Sequence, residues 1–283
     1  NQLKSQTLAA LHQAIDAQSW GKRPAADALT KLARHTKPHQ RWAIDGSYNH
    51  ALRHLLEHGW TPQDLGEVVS RRAPTALNHV FQALSTIASE SAASTIHPQW
   101  AAQLSQWRAD YPPDPSLDWN TAVGQKVSGL AVIQQLPQLP IVLPPPGQFG
   151  KVGTASGDPV DAKILTRIQA LLSKAESTEF PEEAEAFSSK AQQLMSRYAI
   201  DRALAESASP HRGVSAPISR RLWLNNPYIS PKSSLVSMVA HANHCRAVFE
   251  REFGTITVLG DSSDVEAVEL LATSLLIQAT RAM

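Results

Sequence analysis

The sequence predicts a mainly α protein: an all-α amino-terminal domain, a Pro/Gly-rich linker, and a helical hairpin followed by a small α+β unit. Three observations predict it. Apolar residues recur at three- and four-residue intervals through the first half and again after residue 160. Prolines and glycines crowd residues 136–160, where neither helix nor central strand persists. Strand-like alternation is confined to the last 70 or so residues. The expected divisions are therefore 1–135, 136–160, 161–206 and 218–283.

In chain order, Leu3, Leu8, Leu11 and Ile15 form the first helical stripe. Leu52, Leu55 and Leu56 form another, and Val80, Phe81, Leu84 and Ile87 a third. Gly59 stands where a helix C-cap glycine stands, and Thr61-Pro62 reads as an N-cap followed by proline in the first turn. Helix, tight turn and helix are expected over 48–72. Trp20, Trp42, Trp60, Trp100, Trp107 and Trp119 all fall in this half, where they are expected as core anchors rather than stacking platforms. No internal repeat is visible.

The linker holds Pro137, Pro140 and the triplet at 144–146, then Gly147, Gly150, Gly153 and Gly157. Its proline half should be an extended, semi-rigid spacer and its Gly/Ser half a flexible one. The alternative places 141–143 across a domain surface. Two helices follow, over 161–175 and 181–198. Ile164, Ile168, Leu171, Leu172 and Ala175 line the first; Ala184, Phe187, Ala191, Leu194, Met195 and Tyr198 line the second. Their short connection forces an antiparallel hairpin. After a Ser/Pro connection at 207–217, a strand is expected at 220–224 and a helix at 233–244. Strands Arg246–Glu250 and 255–259 should meet about Gly254, and Ser263-Asp264-Val265-Glu266 has the spacing of a capping box opening the last helix.

Net charge is +1, so affinity for nucleic acid or membrane has to come from local patches. The longest apolar runs, such as 270–277, are far too short to span a bilayer. No secretory signal is visible. The lone Cys245 excludes an internal disulfide framework and fits a reducing, cytoplasmic setting. The chain begins without Met and stops inside a helical pattern, so further residues are expected at both ends.

The phrases LLSKAEST, FPEEAEAF and AQQLMSRYAID, within 163–201, resemble a family of unknown function (the DUF 2786 type) found in actinobacteria, phages and other mobile elements. The phrase VLGDSSDVEAVELL at 258–271 is similar to the companion domain that follows this hairpin in the family, and HGWTPQDLGEVVSRR at 58–72 to the amino-terminal part of actinobacterial members. The resemblance implies a helical hairpin and a cytoplasmic setting. It implies no catalytic residues, because the family has no established activity.

Among candidate sites, the run 31–58 concentrates cations: Lys31, Arg34, Lys37, Arg41 and Arg53, with five histidines, against Asp45 and Glu57. Beside a helix-turn-helix-like joint such a patch suits phosphates, with Arg71 and Arg72 on the following helix; a solvated basic face is the competing reading. His50, His54 and His58 lie at four-residue spacing, expected to face outward rather than to hold a metal, since further ligands are missing. His241, His244 and Cys245 resemble ligands by spacing, but Cys245 falls on the apolar face of the expected helix. The turn at 260–264 is expected to be a capped helix start rather than a phosphate or ion site. Lys163, Arg167 and Lys174 form an outward stripe on the hairpin, opposed by glutamates crowding its turn.

No catalytic constellation emerges. The expectation is a non-enzymatic binding protein contacting nucleic acid or a macromolecular partner, without cofactor or membrane. The alternatives are a metal-dependent hydrolase assembled from distant His, Asp and Glu residues, and a structural or oligomeric component.

Overall fold

A computed structural model describes residues 2–150, 159–208 and 217–282. The protein is mainly α with a small α+β part, and it divides into two compact units, Asn1–Gly153 and Thr154–Met283. No helix among the described residues is long and apolar enough to cross a membrane.

The first unit is all-α. Its helices are α1 (Gln2–Asp16), α2 (Lys22–Leu32), α3 (Lys37–Glu57), α4 (Pro62–Arg72), α5 (Leu77–Ser89), α6 (Pro98–Asp110) and α7 (Trp119–Ile133). The expected stripes on α1, α3 and α5 face the core through Leu11, Ile15, Leu52, Leu55, Val80 and Leu84. Leu3 departs from its stripe and stands exposed. The tryptophans also divide. Trp60 and Trp100 are core anchors, but Trp20 and Trp42 are exposed, against the expectation from sequence.

The α3–α4 joint forms as its residues dictate. Gly59 takes a φ of +88°, a left-handed value that suits glycine, and the Trp60 amide donates to the Leu55 carbonyl at 3.0 Å in a Schellman-type closure. Thr61 and Asp64 then cap α4 reciprocally: the Asp64 amide donates to the Thr61 hydroxyl at 3.2 Å and the Thr61 amide to the Asp64 carboxylate at 3.0 Å. Pro62, Leu65, Gly66, Val68 and Val69 of α4 are all buried. At Gly66 an added Cβ would overlap the Trp107 indole, so the helix sits flush against α6. The face of α4 left open carries Arg71 and Arg72, with Gln63, Glu67 and Ser70 partly exposed.

The proline-rich segment is not a spacer along 136–150. Leu136 and Leu143 are buried, the Leu139 amide donates to the His58 carbonyl at 3.0 Å, and the Trp60 indole donates to the Pro137 carbonyl at 2.7 Å. The Gly147 and Phe149 amides both donate to the Thr95 carbonyl. Proline removes amide donors but leaves carbonyls and apolar rings, so the strap is held from outside. The expected flexible half, with Gly153 and Gly157, lies outside the described residues, as does most of the 207–217 connection.

In the second unit, α8 (Pro159–Ser177) and α9 (Pro181–Ala208) make the expected antiparallel hairpin, α9 running well past the predicted end. Strands β1 (Ile218–Trp223), β2 (Arg246–Glu250) and β3 (Thr255–Gly260) form an antiparallel sheet in the order β1-β3-β2, with Leu222, Ile256 and Phe249 in register. Helices α10 (Ile229–Ala242) and α11 (Ser262–Ala282) complete it. The helix expected over 233–244 stops at Ala242; His244 then takes a φ of +59° and Cys245 lies beyond the helix, immediately before β2, its thiol still buried.

The hairpin and the α+β part were expected as separate domains, yet they share one hydrophobic core. Ile168, Leu172, Ala191 and Met195 join Val236, Ile256, Val265 and Leu271 in it. Two helices packed on each other still leave apolar surface uncovered, and α11 covers it. An Ile168→Val substitution is therefore expected to cost about 1 kcal/mol. It should lower hydrogen-exchange protection in β3 as well as in α8; a loss confined to α8 would contradict a common core.

Candidate nucleic-acid interface

The cations that sequence placed together meet at the corner between α2 and α3. Lys31 lies in the last turn of α2, Arg34 in the turn that follows, and Lys37 and Arg41 in the first turns of α3. All four are exposed. The corner is locked from beneath by Gln40, only 2% exposed. Its amide nitrogen donates to the Leu32 carbonyl at 3.2 Å and the His35 carbonyl at 2.6 Å, while its oxygen accepts the Trp119 indole N–H at 2.6 Å. Because an indole N–H only donates, the orientation of the amide is fixed. His35 is tied down likewise: its Nδ1 lies 2.9 Å from the Thr7 hydroxyl, which is also 2.8 Å from the Leu3 carbonyl.

Aromatic rings flank the cations. The Lys4 ammonium sits 4.9 Å from the Trp42 ring centroid and the Arg41 guanidinium 5.3 Å from that of Trp119. Two acids, one on α3 and one at the start of α7, are engaged with other partners. Asp45 pairs with Lys126 at 3.3 Å, and Asp118 caps α7 by accepting the Thr121 hydroxyl first and then the Thr121 and Asn120 amides, bonds that hold its carboxyl below the usual range. The amino end of α3 adds its own partial positive charge. The corner is thus a rigid, positive, aromatic-flanked surface.

The remaining sequence candidates are placed differently. Arg53 is paired with Glu90 and bonded to Asn49, and Arg71 pairs with Glu67 at 3.3 Å, so neither offers a free guanidinium. Arg72 stands exposed at the end of α4. Lys163, Arg167 and Lys174 are exposed along α8 in the second unit, Lys174 lying 5.8 Å from the Phe187 ring centroid. His50 and His54 face outward, and the His54 and His58 rings lie 4.1 Å apart. Among the described residues no three His, Cys, Asp or Glu side chains gather as a metal site would require. His241 and His244 are exposed; His244 shares a cleft with Asp264, Ser196 and Met195, a grouping invisible in sequence. Sequence reasoning missed Lys4, Gln40, Trp42 and Trp119 as parts of the corner, and only the neighbours of Gln40 and Trp42 in the basic run were a signal.

Among the titratable groups of the first unit that their surroundings perturb, His79 is the imidazole. His79 borders a recess with Asn78, Tyr111 and Asp114; its Nε2 lies 3.1 Å from the Gln125 oxygen and its Nδ1 is buried without a partner. Burial, with the Lys126 charge, lowers its pKa below 6.5 against the opposing Gln125 bond. The unfolded chain then holds more protons than the folded one between the two values. Stability from neutral His79 is whole above about pH 6.5 and is lost as pH falls through the lower folded value. Melting curves from pH 7 downward should show this loss, and His79→Gln should flatten it; an unchanged slope would dismiss the buried imidazole as its source.

Residues 163–202, which form most of α8 and the first part of α9, match a family described as a protein of unknown function (DUF2786). No curated protein and no solved structure matches the chain.

Proposed function

We propose that the first unit is a binding module, without chemistry of its own, that holds the phosphodiester backbone of nucleic acid at the α2–α3 corner. One observation carries this reading. Between Asp27 and Asp45 the chain has Lys31, Arg34, Lys37 and Arg41, two histidines and no carboxylate, all on a corner whose backbone is locked by Gln40. Rigid spacing matters because a preformed row of cations releases condensed counterions without first ordering itself. The overall charge of +1 does not oppose this, since the field at the corner is set by charges within about 10 Å.

Fluorescence anisotropy of labelled DNA and RNA, titrated with the full chain at several salt concentrations, tests it. Binding is expected at low salt and should weaken with a log–log slope of about −3 to −4 if four phosphates are contacted. Absence of any anisotropy change at the lowest salt would overturn the reading.

A further inference from the structure

The corner also indicates which form of nucleic acid it takes. A fold that encloses Trp60 and Trp100 almost completely leaves Trp42 45% exposed, on α3 next to Arg41. The Lys4 ammonium lies over the ring at 4.9 Å, on a flexible side chain that a stacking base would displace or share the ring with. Arg41 itself lies against a second ring, Trp119. The surface therefore alternates cation and aromatic ring, the composition that grips a backbone while stacking bases. A duplex keeps its base faces inside the stack and offers Trp42 nothing to stack upon. Reading a duplex through its grooves needs a helix with free base-reading side chains, and on the open face of α4 Arg71 is paired with Glu67 and Gln63 bonded to Glu67. An unpaired strand presents both chemistries the corner offers to meet.

We propose that the α2–α3 corner takes a single nucleic-acid strand, Trp42 stacking a base while Lys31, Arg34, Lys37 and Arg41 hold the neighbouring phosphates. This rests on the backbone-binding reading above and names the substrate of that same surface. Trp42 acts by ring area, so phenylalanine should largely replace it and alanine should not.

The test uses the full chain with labelled oligothymidine and a labelled mixed-sequence duplex. Trp42→Ala should weaken strand binding roughly ten- to a hundredfold, with duplex binding unchanged and Trp42→Phe close to the parent. With the unsubstituted protein, unlabelled oligothymidine should displace the labelled strand at a far lower phosphate concentration than duplex does; this arm holds even if the alanine variant folds poorly. Equal competition by strand and duplex, or equal losses on both in Trp42→Ala, overturns the stacking proposal and leaves backbone binding standing. No binding of either probe at low salt overturns both.

Discussion

Replacing Lys31, Arg34, Lys37 and Arg41 together by glutamine is expected to lower nucleic-acid affinity roughly a thousandfold at about 0.1 M salt. Each phosphate contact contributes about 0.7 to 0.9 to the salt slope, so losing four should flatten it by about three. The fold should survive. All four side chains are exposed, and the lock beneath them uses Gln40, His35 and Trp119 rather than the cations. Only Arg41 gives up an intramolecular contact, its place over Trp119, worth about 0.5–1 kcal/mol at an exposed site. The control is internal to the molecule. Arg53 and Arg71 are already paired with Glu90 and Glu67, so Arg53→Gln with Arg71→Gln should leave affinity and slope nearly unchanged. Anisotropy across a salt series measures both. If the control pair lowered affinity as much as the corner quartet, general charge rather than this surface would be responsible.

Trp60→Ala should destabilise the first unit by about 3–5 kcal/mol. The ring is 2% exposed between the end of α3 and the start of α4, and its N–H donates to the Pro137 carbonyl at 2.7 Å. Alanine would leave a cavity, strand that carbonyl and release one of the bonds that hold the proline strap to the helices. Trp60→Phe keeps most of the buried area and should cost less. Urea unfolding followed by tryptophan fluorescence suits the question, because six of the seven tryptophans lie in the first unit and five remain in the variant. A midpoint that did not move would show that the strap and its anchor contribute little.

Much of this architecture is legible in the chain. Helical spacing located α1, α3, α5, α8 and α9; the residue pair Thr61-Pro62 marked the start of α4; period-two alternation placed β2 and β3 within a residue of where they lie. These are preferences of a residue for its neighbours within one turn or one pleat, and tertiary packing leaves them in place. The misreadings have a common origin. Leu136 and Leu143 sit in a composition that reads as linker, and their burial depends on a groove built by residues far earlier in the chain. At Gly66 it is the Trp107 indole across from it, 41 positions later in the chain, that leaves no room for a side chain.

The candidate surface shows the same division. Sequence by itself determined that four cations fall in an acid-free run and that the second half carries the family hairpin. Tertiary structure decided that Arg53 and Arg71 are spoken for, that Asp45 and Asp118 are drawn away, and that Trp42 stays open beside Lys4. The same structure merged the hairpin with the sheet and α11 into one core. The physical reason is range. Propensity, capping and periodicity act over a few residues, whereas burial and charge pairing are settled by whichever element arrives alongside, here up to about 80 residues away as with Gln40 and Trp119.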